Sequence, residues 1–177
     1  RQFVNVPHHL RLARFGLPHR RIDGLWGHLP QPFLHENYRH LTSNTVPLVL
    51  IGWALLLSGV RTWLFVTGFV VIVGDLATWL VAPSGLIVGA SGAVFGWMGY
   101  LLSRAYFSRK LKWILTAVAV LFFFGTLLGS LLPDFNSRVS WPSHLCGFAA
   151  GVLVGAVLHP RRPGRPKGPQ PSSPAVA

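Results

Sequence analysis

The chain has 177 residues and a mass of 19.4 kDa, the size of one domain. Only 11% of its residues are charged and 51% are hydrophobic, whereas a soluble domain carries about 25% charged residues and must cover a large surface. This excludes both a solvated globule and a disordered body, and the lone Cys146 excludes an internal disulfide and a cysteine-based zinc cluster. An integral membrane protein remains, in agreement with a mean hydropathy of +0.47. The net charge of +12 could signal nucleic acid. However, Arg104, Arg109, Lys110, Lys112, Arg161, Arg162, Arg165 and Lys167 lie between or after apolar runs, as in cytoplasmic membrane loops, so no nucleic-acid partner is expected.

In chain order, residues 1–40 mix Phe, Leu and Trp with His, Arg and Pro and read as an outer interfacial segment, with Trp26 as its anchor. Five apolar stretches follow, each approaching the ~20 residues that span a bilayer. They run from Leu41 to Val60, Thr62 to Ala82, Leu86 to about Ser103, Trp113 to Pro133 and about Val139 to His159. Backbone in lipid must satisfy its own hydrogen bonds, so all five read as helices and the fold class as an all-α polytopic bundle over 41–159. The last 18 residues hold six prolines and four basic residues and read as a disordered tail, 160–177. The loop 104–112 carries four basic residues and no acid, so it and the tail are expected in the cytoplasm. That orientation leaves the six Arg of residues 1–40 outside, against the positive-inside tendency.

Alternating topology brings the few polar residues beside the spans to one membrane face. His35, His40 and Asn44 sit at the outer start of the first span, Ser91 near the start of the third, and His144 near the start of the fifth. His144, Gly147, Gly151 and Gly155 are spaced by three, four and four, so they share one helix face. Such a glycine stripe lets another helix pack closely. Gly92 and Gly96 form a matching pair in the third span, and their approach would bring Ser91 towards His144 as nucleophile and base. His40 and Asn44, four apart, could direct two neutral donors at one oxyanion. Plainer readings exist for each residue. Gly89-Ala90-Ser91-Gly92 can be a packing element, His144 a structural histidine, and His40 with Asn44 a helix cap. Asp75 needs a partner, with Thr78 or a basic loop residue as candidates, and Cys146 reads as a small packing residue.

Three strings then carry a family resemblance: Pro32 to Asn44 as H-x4-H-x3-N, Gly89 to Gly96 as G-x-S-G, and Ser143 to Gly151 as H-x2-G-x3-G. In this order the chain resembles a rhomboid intramembrane serine protease, from about Phe15 to His159. The resemblance implies a Ser–His dyad without an acid: Ser91 as nucleophile, His144 as general base, and His40, the Asn44 amide and the Ser91 backbone N–H as the oxyanion hole. Gly89, Gly92, Gly147 and Gly151 would support helix packing. It further implies transmembrane protein substrates within the bilayer, no cofactor, no metal, and a six-span core whose first span lies upstream of Arg1. Phe95 falls where an aromatic ring packs on the catalytic histidine. The Trp-Arg pair of the family's first outer loop is absent, since Gly27 follows Trp26. The Arg-, Ala-, Gly- and Pro-rich usage suggests a bacterial plasma membrane.

Two rival readings differ in class. His35-Glu36-x-x-x-His40 resembles the zinc motif H-E-x-x-H, but a spacing of five turns the second His ~140° away where four would align them. A non-catalytic rhomboid-like protein, either a pseudoprotease or a chaperone-like binder, is compatible with the glycine-rich helices. The oligomeric state is open on this reading.

Overall fold

A computed structural model describes residues 17–18, 38–82, 86–87, 90–133 and 141–159, and of 17–18, 38–44 and 86–87 it describes the backbone only. The expected interfacial segment, including Trp26 and His35, lies outside the described residues except for Leu17, Pro18 and the first turn of a helix. The tail 160–177 lies outside them too. The described residues form five helical rods. They are α1 (Tyr38–Leu56), a second rod built from α2 (Val60–Phe69), a π turn (Val70–Gly74) and α3 (Asp75–Val81), then α4 (Ser91–Ser108), α5 (Leu111–Phe124) continued by a 3-10 helix (Gly125–Leu131), and α6 (Trp141–Leu158). A two-residue antiparallel pair, β1 (Leu17–Pro18) with β2 (Leu86–Ile87), is the one departure from helix among the described elements.

The rods match the apolar stretches, with ends set by local chemistry. α1 stops four residues before the expected Val60, because the chain turns at 57–59 and Gly59 takes φ +96°, where a β-carbon is strained. The third stretch starts as β2 and becomes helical only at Ser91, five residues later than expected. Apolar composition gives span length but not conformation, and Ile87 and Val88 are β-branched. α4 runs on to Ser108, where Arg109 enters the left-handed region at φ 51° and ends it.

Val60–Val81, Leu111–Leu131 and Trp141–Leu158 are long and apolar enough to cross a bilayer by length and composition. The outer surface fits that solvent, for Phe122 is 81% exposed, Phe123 70% and Trp53 64%. In water such a surface would drive aggregation; in lipid it costs nothing to leave uncovered. The protein is an integral membrane protein with an all-α bundle.

α4 is the hub. It packs against α1, α2, the π turn, α5 and above all α6, and its residues from Val94 to Leu101 are buried without interruption. Ile51, Leu55, Val66, Val70, Met98, Tyr100 and Val154 form the core around it. Trp97 donates its indole N–H to Thr67 Oγ1 at 3.1 Å and packs at a tilt against the Trp63 ring, tying the second rod to the hub.

Among the described residues, one end of the bundle gathers basic side chains. At that end lie the turn after α1, the α4–α5 connection and the end of α6. Lys112 donates to the Leu57 carbonyl at 3.3 Å, and Tyr100 links Arg104 to His159. Burial lowers the proton affinity of His159, and the positive charges of Arg104 and Lys110 lower it further. Ser91 starts its helix, and His144 lies three residues after the start of its own, at the opposite end.

Candidate active site

The contact between α4 and α6 builds the site. A β-carbon on Gly147 would run into the carbonyl oxygen of Gly92, and one on Gly151 into that of Gly96. On α4 the same closeness appears at Gly92, where an added β-carbon would lie 2.7 Å from Ser143 Oγ, and at Gly99 against the Phe148 carbonyl. The π turn closes on the other side, since an added β-carbon on Gly74 would lie 3.2 Å from the Gly147 Cα. The expected glycine stripe is therefore a seam where backbones touch, and Gly92, Gly147 and Gly151 all lie in it. Gly89 lies outside the described residues.

This seam places His144. The residue is buried, 5% exposed, and its ring stacks on Phe95 with centroids 4.2 Å apart and planes 25° apart. Phe95 is one turn after Ser91 and so on the same face of α4. Ser91 is the first residue of that helix and half-buried. Among the described residues, the first ladder bond of α4 runs from the Val94 N–H to the Ala90 carbonyl at 3.1 Å. The N–H of Ser91 therefore precedes the ladder and is one of the donors a helix start leaves over. Ser91 and His144 thus lie near the starts of two helices at the same end of the bundle, with Gly92 against Ser143 and Phe95 against His144.

Sequence reasoning does not single out Ser130, in the 3-10 helix. Its Oγ lies 3.0 Å from His144 Nδ1 and its carbonyl oxygen 3.3 Å from the same nitrogen. No spacing rule links positions 14 apart across a helix break, so nothing local signals this pair.

His40 and Asn44 both lie on α1, four residues apart on one helix face, but their side chains lie outside the described residues. Asp75 is buried at the start of α3. Thr78, one candidate partner for it, instead donates its hydroxyl to the Gly74 carbonyl at 2.7 Å. Cys146 is half-buried on α6. Among the described residues no group of three His, Cys, Asp or Glu could hold a metal ion, and His35 and Glu36 lie outside them.

The sequence pattern of the Rhomboid domain matches residues 23–161, which include α1 to α6. The chain belongs to the rhomboid family. Its relatives include an uncharacterised protein of Mycobacterium tuberculosis strain H37Rv, 37% identical over 84% of this chain and 65% of that protein. An uncharacterised protein of Mycobacterium leprae is 37% identical over 78% of this chain and 58% of its own length. A Bacillus subtilis protein, YdcA, whose name assigns it provisionally to the rhomboid proteases, is 31% identical over 75% of this chain and 67% of its own length. The chain thus spans less than two thirds of the length of the mycobacterial relatives it matches. The seam of α4 and α6, with the contacts around His144, lies wholly within the rhomboid match.

Proposed function

We propose that this rhomboid is an intramembrane serine endopeptidase that cleaves transmembrane protein substrates. The observation that carries the reading is the stacked Phe95–His144 pair on the α4–α6 seam, which sets a buried histidine beside the helix that begins with Ser91. In this reading Ser91 Oγ attacks the scissile carbonyl carbon while His144 takes its proton. His144 then returns that proton to the leaving amine, and a water attacks the resulting acyl-enzyme with His144 again as base. The oxyanion is met by the Ser91 backbone N–H, with His40 and the Asn44 amide as further donors. Loss of one such donor typically costs ~10²–10³ in rate. No acid need orient His144, because neutral neighbours hold its ring on both its face and its edge. No cofactor takes part in these steps.

The substrates are transmembrane segments that enter from the surrounding bilayer. The basic end around Arg104, Lys110 and Lys112 faces the cytoplasm by the positive-inside tendency, which puts Ser91 and His144 towards the outer face. The mycobacterial and Bacillus relatives support a bacterial plasma membrane.

The test reconstitutes the chain in liposomes with a transmembrane substrate and compares it with Ser91→Ala. Cleavage falls to background in the variant, and a fluorophosphonate labels the unmodified chain only. Unchanged cleavage by Ser91→Ala overturns the mechanism. A folded chain that binds such substrates without cutting them would instead be a non-catalytic rhomboid-like protein.

A further inference from the structure

Ser130 makes three contacts that bear on where the His144 ring carries its proton. Its hydroxyl lies 2.7 Å from the Leu127 carbonyl, to which it donates, three residues back along the 3-10 helix. A hydroxyl has one proton, so towards His144 the Ser130 Oγ can only accept. It lies 3.0 Å from Nδ1. The Ser130 carbonyl oxygen, an acceptor by nature, lies 3.3 Å from the same Nδ1. Two acceptors converge on one ring nitrogen, and a lone pair there would face two others. A proton on Nδ1 satisfies both.

We propose that Ser130 is the positioning residue of this site: it holds His144 as the tautomer protonated on Nδ1, which makes Nε2 the basic nitrogen that takes the Ser91 proton. The inference rests on the serine-protease reading above. Phe95 fixes the plane of the ring by stacking, and Ser130 fixes its rotation within that plane. The same acceptors remain bonded to Nδ1–H when Nε2 is protonated, so the ring keeps its place through the proton transfer. Ser130 does the orienting task of a triad acid with neutral oxygens, and a buried carboxylate with its desolvation cost is avoided.

The experiment has a spectroscopic and a kinetic arm. Nitrogen-15 NMR of histidine-labelled protein in micelles, with the His144 signals assigned by their loss in His144→Asn, reads the tautomer directly. The unmodified chain shows Nδ1 protonated and Nε2 bare at neutral pH, and Ser130→Ala shows a mixture of the two forms. In liposomes Ser130→Ala lowers kcat about three- to tenfold, the worth of one neutral hydrogen bond, with KM unchanged. Ser130→Thr restores kcat, since it returns the hydroxyl. A proton on Nε2 in the unmodified chain overturns the proposal, as does unaltered kcat in Ser130→Ala or a Thr variant no better than Ala. If Ser130→Ala fails to fold, the unmodified spectrum alone decides. Should Ser91→Ala cleave as well as the unmodified chain, the protease reading fails while the tautomer result stands by itself.

Discussion

Replacing Gly151 by Ala adds one carbon at the point where α6 lies against α4. That carbon would run into the Gly96 carbonyl oxygen, and would also lie 2.7 Å from the Gly96 carbonyl carbon and 2.9 Å from the Tyr100 nitrogen. All three atoms are backbone, so no rotamer change makes room and the helices must separate. Overpacking of this kind costs about 1–3 kcal/mol, a five- to 150-fold fall in the folded-to-unfolded ratio. Gly68 is the control, because it lies inside α2 and an added β-carbon there meets nothing within 4 Å. Gly68→Ala should stabilise by up to about 1 kcal/mol through helix propensity alone. The same chemical change thus has opposite signs at two glycines. Reversible unfolding in mixed micelles measures both, and Gly151→Val should lower cleavage further by moving Ser91 away from His144. Equal effects of Gly151→Ala and Gly68→Ala would refute the backbone contact.

Phe95→Leu removes the ring stacked on His144 and should lower kcat about two- to twelvefold, the value of an aromatic pair, with little change in the melting temperature of the bundle. Equal kcat in the two proteins would mean that Phe95 does not hold the ring. Cleavage by the unmodified chain should fall on acidification from about pH 8 to 5, because protonated histidine cannot act as base; a flat profile would remove His144 from that role. His159 should make the fold acid-sensitive at the basic end. Burial first, then Arg104 and Lys110, hold it below its ordinary value of 6.5. The folded state therefore binds fewer protons than the unfolded one. The stability this contributes is present above the ordinary value and lost as pH falls through the depressed one. Melting in detergent at about pH 7.5 and about pH 5.5 should show a smaller drop for His159→Gln than for the unmodified chain, and equal drops would contradict the assignment.

Much of the site was legible before any fold. The spacings of His144 with Gly147, Gly151 and Gly155, and of Ser91 with Phe95, are helical, and a helix places residues three and four apart on one face whatever surrounds it. The end of α1 and the start of α4 were less legible. Both depend on backbone choices, a positive φ at Gly59 and a β-pairing at Leu86–Ile87, that apolar composition does not encode. Ser130 was not legible at all. It meets His144 after a change from α-helix to 3-10 helix and the end of that helix at Leu131, and periodicity ends at such a break.

Composition by itself determined the solvent, since a chain with 11% charge cannot clothe itself for water. Spacing determined which residues share a helix face. Tertiary structure decided what each face meets. It set Gly147 against Gly92 and Gly151 against Gly96, laid Phe95 under the His144 ring, and turned Ser130 towards Nδ1. The physical reason is range. Helix geometry is settled by neighbours in the chain, whereas the rotation and depth of one helix against another come from all their contacts at once.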